Sequence, residues 1–505
     1  MASTTFKPDF DITMPDVSYS GIELLNDITA SEVWGDGTIH YGFGGSDALS
    51  LDGQFKSFFR SMFGNAKPDA QFAFAELAQQ SFSMIDSVTA LDFAETELLE
   101  EVDLVLVSSN DKPRSSLEGF FQFPGEFDHE YAAGEYWSLG AFNSALKELK
   151  AASELGGGQY GSWTILHEIG HSLGLKHTHR EVNGIPALPS VGKFMNNERY
   201  SVMSYNGASD GTKFGHAVSM MALDVAALQA LYGAETYAVG GSTYSLMNAR
   251  GGALSLAEGD VQIGRAYYCI WDSGGTDTID YQGSGKSVII NLNDATLDTS
   301  GFDSDLLSLF SEIKDTNFAS FMSKSLKQGI FDSWHNAGGF FSQVLDIKNG
   351  KYAGTDGGYS IAHGAVIENA VGGNGADMLV GNEHANGMAG GDGDDTLLGG
   401  AGQDSLSGDA GVDWLDGGDG NDTLSGGAGG DIFVFSLLSG MDTITDFEAG
   451  DVVYLRDLWI DDAQDLFANH MAEQGDDVVI TVFEDVLVIE NVTMAELDAN
   501  DFVIR

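Results

Sequence analysis

The sequence of 505 residues contains little cysteine, proline, histidine or positive charge. Cys269 is its single cysteine, which excludes an intrachain disulfide. Only 7 prolines accompany 66 glycines, which excludes a proline-rich linker and favours many tight turns with positive φ. The 23 basic residues are outnumbered by 76 acidic ones, and the net charge of −53 argues against binding nucleic acid or an anionic membrane. So many carboxylates favour calcium, which prefers hard oxygen ligands.

Long apolar segments are missing as well. No uninterrupted apolar run approaches the roughly 18 residues of a membrane-spanning helix, so the sequence predicts no membrane span. The first residues, MASTTFKPDFDITMPDVSYS, have neither the basic n-region nor the apolar h-region of a secretory signal peptide. The length allows about two to four domains.

Four of the eleven histidines are concentrated in HEIGHSLGLKHTH, residues 167–179. The apolar spacing from Trp163 onward predicts a helix with Ser162 as its N-cap. His167 and His171 are four residues apart, so they share one face of this helix. Two imidazoles placed in this way can bind one zinc ion.

The residues around these two histidines extend the pattern to HExxHxxGxxH. Gly174 is predicted to end the helix in a left-handed conformation, and that turn can bring in His177 as a third ligand. Glu168 directly follows His167, where it can act as a general base on a water without binding the metal itself. His179 falls outside the spacing and is expected in solvent or behind the ligands. The extended pattern therefore indicates a catalytic zinc site.

A nine-residue repeat begins at Gly372 and runs GGNGADMLV, GNEHANGMA, GGDGDDTLL, GGAGQDSLS, GDAGVDWLD, GGDGNDTLS and GGAGGDIFV. Every copy has glycine at position one and an apolar residue at position eight. Position six is aspartate in every copy except the second, which has Asn386. A flexible linker has no reason to keep an apolar residue in register, so we predict a turn and a short strand in each copy.

Stacking these turns would place carboxylates against one another, which is repulsive until a cation lies between them. We therefore expect the repeats to be unfolded without calcium and to form a parallel β-roll with it. The candidate calcium ligands in the turns are Gly373, Asn374, Gly375, Asp377, Gly391, Asp392, Gly393, Asp395, Gly400, Gly402, Asp404, Asp413, Gly418, Asp419, Gly420, Asp422 and Asp431.

The segment ERYSVMSYN, residues 198–206, follows the histidine motif, and together they resemble the metzincin metallopeptidases. The resemblance implies that Met203 lies beneath the imidazoles. It also implies that Tyr205 binds zinc at rest and moves away during catalysis to hydrogen-bond the oxyanion. The nonapeptides resemble the RTX repeats of proteins exported by bacterial type I systems. In this order, the motifs resemble the serralysins, secreted bacterial zinc endopeptidases of two domains.

Further segments fit the same resemblance. MALDVAALQALYGA, residues 221–234, is similar to the helix that closes the protease domain, and its apolar spacing independently predicts a helix. GFFQFPG, residues 119–125, corresponds by order to an edge strand over the cleft. The last residues, ANDFVIR, are similar to a type I secretion signal and would also suit a terminal strand. WDSGGTDTIDY, residues 271–281, resembles a calcium loop, with candidate ligands Thr243, Asp272, Gly274 and Asp277.

The resemblance implies an α+β metzincin-like protease domain, with a mixed twisted sheet and an active-site helix, followed by an all-β parallel β-roll. The expected divisions begin with an N-terminal segment at 1–60, part of which could be a pro-segment, and a protease domain at 61–236. A β-rich region at 237–360 follows, with an insertion near 296–357. The RTX β-roll is expected at 361–435, and a C-terminal β region with the secretion signal at 436–505.

The expected protein is a secreted, extracellular monomer that hydrolyses peptide bonds with broad specificity, using one catalytic zinc and several structural calcium ions. Its expected partners are protein or peptide substrates, the type I secretion machinery and, as a further candidate, a protein inhibitor. Two alternatives remain open at this stage. One is a calcium-dependent surface or matrix binding protein with an inactive protease module, and the other is a protease with one narrow processing task. The insertion near 296–357 could be a lid, a docking surface or an enlarged loop.

Overall fold

The fold is that of a computed structural model, which describes residues 34, 38–44, 68–69, 71–97, 102–109, 119–121, 138–144, 160–178, 196–207, 215–246, 255–257, 260–263, 266–282, 285–295, 297, 313, 316–324, 326–327, 342–354 and 357–505. His179 lies outside these residues. So does the segment SDLLSLFSEI of the expected insertion, for which the sequence predicts an amphipathic helix, except for its last residue, Ile313.

The described N-terminal part contains a mixed sheet of five strands. They are β1 (Thr38–Phe43), β2 (Asp92–Glu95), β3 (Leu104–Ser109), β4 (Gly119–Phe121) and β5 (Ser138–Asn143). Their order is β2-β1-β3-β5-β4, in which β4 is antiparallel to β5 at one edge and the other pairs are parallel. The sequence of β3, LVLVSS, is buried at every position, as expected for a continuous apolar strand inside a parallel sheet.

Strand β1 belongs to this sheet although it lies within the expected N-terminal segment, residues 1–60. This strand comes from the segment that was expected to precede the protease domain, yet it pairs with both β2 and β3 inside the sheet. Trp34 belongs to the same unit, because its indole N–H donates to the Ser172 carbonyl oxygen at 2.7 Å. The short strand TIHYGF is flanked by glycine and aspartate, so its pattern gave little sign of a central strand.

Three helices accompany this sheet, α1 (Ala75–Asp86), α2 (Tyr160–Ser172) and α3 (Ala222–Tyr232). Helix α1 packs against α2, which also lies against β4 and β5. All residues of α2 after Tyr160 are buried, so this helix is the centre of the unit. Ser162 was predicted as the N-cap of the histidine helix, but it lies inside α2 and is fully buried. The helix extends further towards its N-terminus than the apolar spacing indicated.

The rest of the described chain consists mainly of short strands. In chain order they are β6 (Thr243–Leu246), β7 (Ser255–Ala257), β8 (Asp260–Ile263), β9 (Tyr267–Ile270), β10 (Thr278–Asp280), β11 (Val288–Asn291), β12 (Gln343–Lys348), β13 (Lys351–Gly354), β14 (Gly358–Ile361), β15 (Asn369–Val371), β16 (Met378–Val380), β17 (Gly387–Asp392), β18 (Thr396–Leu398), β19 (Ala401–Gly402), β20 (Ser405–Gly411), β21 (Trp414–Asp416), β22 (Asp419–Gly420), β23 (Thr423–Ser425), β24 (Ala428–Gly429), β25 (Ile432–Ser436), β26 (Met441–Ile444), β27 (Val452–Arg456), β28 (Met471–Gln474), β29 (Asp477–Val482), β30 (Asp485–Ile489) and β31 (Phe502–Ile504). Two short helices, α4 (Asn317–Phe321) and α5 (Ala463–Asp465), and a π-helical turn, Leu466–His470, accompany them.

Most of these strands form two facing sheets, and successive nonapeptides contribute alternately to one and then the other. Outside these sheets, β9 pairs with β14, and β19 pairs with β22. One sheet has the order β28-β29-β30-β26-β23-β20-β17-β15-β10-β6-β8-β7, and the other has the order β13-β12-β11-β16-β18-β21-β25-β27-β31. Strands of the repeats pair in parallel with a register of two repeats, so that Leu379 faces Leu397 and Leu397 faces Leu415. The predicted parallel β-roll is therefore confirmed.

The apolar side chains at position eight fill the space between the two sheets. All seven are buried, with exposed fractions of 3% or less: Leu379, Met388, Leu397, Leu406, Leu415, Leu424 and Phe433. The glycine at position one is required by close packing, because a Cβ on Gly372 would collide with the carbonyl oxygen of Gly390. The two conserved features of the repeat thus have separate structural causes.

The roll continues on both sides of residues 361–435. Strands β10 and β11 pair in parallel with the first repeat strands, and β26 and β27 pair in parallel with the last. The described part of the 296–357 insertion adds the hairpin β12–β13 to the edge at β11. There Phe318 of α4 stacks on Tyr352 of β13, within a second apolar cluster outside the main core. No helix in the described ranges is both long and apolar enough to cross a membrane.

Candidate metal centre and calcium-binding turns

Three histidine side chains converge at the C-terminal end of α2. His167 and His171 project from the helix, and Gly174, at φ +89°, turns the chain so that His177 returns to them. The Nε2 atom of His177 lies 3.2 Å from Nε2 of His167 and 3.0 Å from Nε2 of His171. These are the candidate metal-binding groups found among the described residues, and their ligand atoms lie within 4.8 Å of one another.

Hydrogen bonds on the far side of two rings fix which nitrogen faces the centre. Nδ1 of His167 donates to the Val202 carbonyl oxygen at 2.7 Å, and Nδ1 of His171 donates to the Leu175 carbonyl oxygen at 2.7 Å. A neutral imidazole carries only one proton, so both Nε2 atoms present lone pairs to the same point. Lone pairs at this spacing repel one another unless a cation lies among them. The donor set therefore fits zinc, which accepts neutral imidazole nitrogen.

Met203 lies against α2, and Tyr205 lies beside the imidazole rings. Met203 is buried beneath α2, and a Cβ on Gly170 would lie only 2.7 Å from its sulfur, which explains the glycine between the first two histidines. The Tyr205 ring is 58% exposed, with its centroid 4.6 Å from that of His177 and 5.2 Å from that of His167. The tyrosine thus stands beside the imidazoles on the side open to solvent.

Glu168 follows His167 on α2 and is 9% exposed. Its carboxylate does not belong to the cluster of three ligand groups found in the described ranges. A carboxylate next to the ligands, rather than among them, is where a general base must stand.

Asp224 supports the metal centre from behind, although the sequence reasoning did not identify it. Its carboxylate accepts hydrogen bonds from the Ser201 hydroxyl at 2.6 Å, the Val202 amide at 2.7 Å and the Met221 amide at 3.0 Å. Complete burial raises the pKa of this carboxyl to about 6. Because the Val202 carbonyl holds the His167 ring, Asp224 fixes the segment that orients the first ligand. Its position in the first turn of the predicted helix at 221–234 was the available signal.

Asn196 links the third ligand to the methionine turn and was also missed. Its side-chain oxygen accepts from the Thr178 hydroxyl at 3.0 Å and from the Ser204 hydroxyl at 2.9 Å. Thr178 directly follows His177, and Ser204 lies between Met203 and Tyr205. The sequence alone gives no sign of this contact, because it joins two loops that are distant from each other along the chain.

The predicted calcium loop brings Asp272 and Asp277 close to β6. Oδ1 of Asp277 accepts from the Ser242 amide at 2.6 Å, and Oδ2 of Asp272 accepts from the Tyr244 hydroxyl at 2.7 Å. Thr243 lies between those two donors and pairs with Thr278 in the sheet. Glu368 is an additional carboxylate here, since Oε2 accepts from the Asp277 amide at 2.7 Å. Burial raises the pKa of Asp277 to about 6.

The position-six aspartates form a ladder inside the roll. In each row of turns, the backbone N–H of one position-six residue donates to Oδ1 of the aspartate two repeats later, as from Asp377 to Asp395 at 2.7 Å and from Asp395 to Asp413 at 2.8 Å. The ladder ends on Asp442 and Asp451, which follow the last repeat and were not predicted. Burial raises the pKa of Asp395 to about 9, with the Asp377 charge as the next cause.

The second oxygen of these carboxylates distinguishes the ladder from an ordinary hydrogen-bond network. Oδ2 is buried without a hydrogen-bond partner in the described structure at Asp277, Asp395, Asp404, Asp413, Asp422 and Asp431. Buried polar atoms are normally paired, and a buried carboxylate oxygen without a donor fits a hard cation such as calcium.

The other predicted ligands occupy the outer part of the turns. Asp392 and Asp419 are exposed, and Asn374 donates from its side chain to Asp392 at 3.1 Å. The remaining glycines supply turn backbone, and most of them have positive φ: Gly274, Gly391, Gly393, Gly400, Gly402, Gly418 and Gly420. The packing of the other two glycines differs, since Gly373 donates its N–H to Oδ2 of Asp377 at 2.6 Å and a Cβ on Gly375 would lie 2.6 Å from Ser287 N.

Residues 301–505 match the family model described as the peptidase M10 serralysin C-terminal region. The chain is 29% identical to metalloprotease AprA of Pseudomonas entomophila over 63% of this chain and 54% of that protein. It is 29% identical to serralysin of Photorhabdus laumondii with the same coverage, and 29% identical to serralysin C of Dickeya chrysanthemi over 52% of this chain and 43% of that protein. The chain thus spans about half the length of the curated relatives it matches. The C-terminal match and these relatives show that the chain is similar to the serralysin-type metalloproteases.

Proposed function

We propose that the protein is a zinc endopeptidase that hydrolyses proteins outside the cell, with a C-terminal roll that folds when it binds calcium. The observation that carries the enzymatic part is the convergence of three imidazole Nε2 atoms, two of them held as lone-pair donors by backbone carbonyls. Such a site, with a neighbouring buried glutamate and an exposed tyrosine, is suited to hydrolysis rather than to a closed structural role.

His167, His171 and His177 would hold the metal. When bound, zinc supplies a Lewis acid for the scissile carbonyl and lowers the pKa of a water in its open position. Three protein ligands leave such a position free, provided that Tyr205 stands aside. Tyr205 is 58% exposed, so a rotation of its side chain away from the centre would place it in solvent.

The chain's own residues would then transfer the proton and stabilise the negative charge that develops. Glu168 takes a proton from the attacking water while the water oxygen bonds to the carbonyl carbon. It passes that proton to the leaving amine as the C–N bond breaks. The Tyr205 hydroxyl donates a hydrogen bond to the oxygen on which negative charge develops, an effect of about 3 kcal/mol in comparable sites.

The edge strand β4 offers a surface for the substrate. It lies at the end of the five-stranded sheet, antiparallel to β5, and against the metal-binding helix α2. An extended peptide could pair with the edge of β4 that has no partner strand among the described residues and thereby pass beside the metal centre. Since such pairing uses backbone groups, we propose broad specificity for unfolded or extended segments.

The β-roll would bind calcium through the position-six aspartates and the loop at Asp272 and Asp277. Without cations, the unpaired buried oxygens and the mutual repulsion of the carboxylates oppose folding. We therefore propose that the chain leaves the cell through a type I system in an unfolded state and folds outside, where calcium is more abundant.

Casein hydrolysis by the purified chain in calcium tests the proposal. Treatment with phenanthroline should abolish cleavage, and added zinc should restore it. Glu168→Gln should retain zinc in a metal analysis while it loses cleavage, which separates the base from the ligands. Full activity in this variant would contradict the role of Glu168. A chain that binds zinc and calcium but cleaves nothing would instead favour a calcium-dependent binding protein.

A further inference from the structure

One turn of the roll departs from the chemistry of all its neighbours. In the turn 381–386, position six is Asn386, whose buried side chain is neutral. Its backbone N–H still donates to Oδ1 of Asp404 at 2.8 Å, so the hydrogen-bond ladder passes through it. The change is therefore confined to the face of the turn that meets the preceding turn, residues 363–368.

On that face, both polar atoms of the Asn386 side chain are paired within the protein. Oδ1 accepts from the Asn382 amide at 2.8 Å. Nδ2 donates to the Glu368 carbonyl oxygen at 3.0 Å and to Oδ1 of Asn382 at 3.1 Å. In contrast, aspartates such as Asp404 and Asp413 have a buried Oδ2 with no partner in the described structure. The feature that marks a cation position elsewhere in the ladder is absent from Asn386.

Two further asparagine side chains donate hydrogen bonds to the backbone carbonyl oxygens that surround this turn. Nδ2 of Asn382 donates to the carbonyl oxygens of Leu292, at 3.0 Å, and Ile367, at 2.9 Å. Nδ2 of Asn293 donates to the Gly381 carbonyl oxygen at 2.6 Å. A calcium ion would need such oxygens as ligands, but here N–H groups already point at them.

We propose that this contact between turns 363–368 and 381–386, the asparagine seam, binds no calcium and is closed by the amides of Asn293, Asn382 and Asn386. The inference rests on the proposed binding of calcium by the neighbouring turns. The seam divides that row of turns into an upstream group around Asp277 and a downstream group that begins at Asp404.

The seam also differs from its neighbours in what it needs in order to form. The three asparagine side chains that close it are neutral, so they add no carboxylate repulsion that has to be neutralised before the turns meet. It joins the ends of β11 and β16 to the starts of β15 and β17, which belong to both sheets. The contribution of the seam to stability is therefore independent of calcium concentration.

Calcium counting on the full chain by equilibrium dialysis tests the seam. Asn386→Ala removes the central amide, and Asp413→Asn makes the opposite type of change in the ladder by replacing a carboxylate with an amide. We expect Asn386→Ala to bind as many calcium ions as the parent chain and Asp413→Asn to bind at least one fewer. The loss of a calcium ion from Asn386→Ala would overturn the seam.

The same variants separate this inference from the calcium proposal on which it rests. If Asp413→Asn kept the full calcium count, the ladder proposal would fail whatever Asn386→Ala did. If Asn386→Ala does not fold, Asn382→Ala replaces it, because that side chain is only partly buried and the same unchanged count is expected.

Thermal unfolding of the same variants provides a second test of the seam. The asparagine variant should lower Tm equally at about 0.1 mM and about 10 mM calcium, and a larger loss at high calcium would overturn the seam.

Discussion

Replacement of Asp224 tests whether a residue remote from the substrate controls the metal centre. Its carboxylate holds the Ser201 hydroxyl and the Val202 and Met221 amides, and all three of these residues are almost wholly buried. Asp224→Ala leaves these donors without an acceptor. Each buried donor without a partner costs about 1 to 3 kcal/mol, so with three donors we expect a loss of at least about 3 kcal/mol in the free energy of unfolding. Asp224→Asn retains one acceptor oxygen and should lie between alanine and the parent.

The same change should weaken zinc binding, because Val202 loses its anchor and its carbonyl oxygen holds Nδ1 of His167. Loss of support behind a ligand typically costs about 10-fold to 100-fold in metal affinity. Zinc competition with a chromophoric chelator measures this, and the visible spectrum of the cobalt-loaded protein reports ligand geometry. Asp103→Asn is the matched control, since Asp103 is a buried carboxylate that accepts from the His40 amide at 2.7 Å. A folded Asp224→Ala variant with parental zinc affinity would refute the reasoning.

The pH dependence of stability gives a second check on Asp224. Burial raises its pKa to about 6 from the ordinary 3.8, so the folded chain holds this proton more tightly than the unfolded chain does. Its contribution is fully present below the ordinary pKa and is lost as pH rises through about 6, by about 3 kcal/mol in total. Asparagine does not titrate, so the stability of the parent relative to Asp224→Asn should fall by that amount between about pH 3 and pH 7. A difference that stays constant with pH would show that the carboxyl does not titrate in this interval.

Three further predictions concern the tyrosine, the turns and an ion pair. Tyr205→Phe should lower kcat for a peptide substrate by about 100-fold with unchanged zinc content, and unchanged kcat would remove its role at the oxyanion. Gly417→Ala should raise the calcium concentration needed for folding, measured by circular dichroism, because its Cβ would lie 2.8 Å from the Cβ of the aspartate that ends the turn, whereas Gly285→Ala meets nothing within 4 Å and should behave as the parent. The hydrogen bond that the Asp294 carboxylate accepts from the His363 ring raises the pKa of His363, so the stabilisation from this pair is present at low pH and is lost as pH rises through the raised pKa. Asp294→Asn should remove that part of the pH dependence of Tm, and an unchanged profile would contradict it.

The sequence predicted best what depends on residues close together in the chain. The spacing of His167, His171 and His177 within one helix and one turn was enough to predict that they meet, because helix geometry and a single glycine determine it. The regular position-eight residues likewise predicted the interior of the roll. In both cases, the spacing of residues along the chain is enough to determine which side chains lie on the same face.

What the sequence could not predict depends on contacts between distant segments. Asp224 and Asn196 reach the metal centre through loops whose relative positions only the fold determines. Strand β1 has no pattern that marks it as central, since its place is set by the strands on either side. Asp442 and Asp451 extend the ladder without the glycine spacing of the repeats. Their role is visible only from the hydrogen bonds that they accept from backbone N–H groups of the last turns.

The direction of the aspartate ladder has a consequence for how the roll assembles. Each carboxylate holds the backbone of a turn that was made earlier in the chain, as Asp451 holds Asp431 and Asp431 holds Asp413. Such a solenoid behaves as a one-dimensional chain of nearest neighbours, in which each unit is completed by the next. The last turns of the roll have no later repeat to complete them, so the non-repetitive C-terminal tail supplies their hydrogen-bond acceptors, Asp442 and Asp451. Order should therefore propagate from this end towards the N-terminal unit, so the tail acts as the template on which the first turn closes.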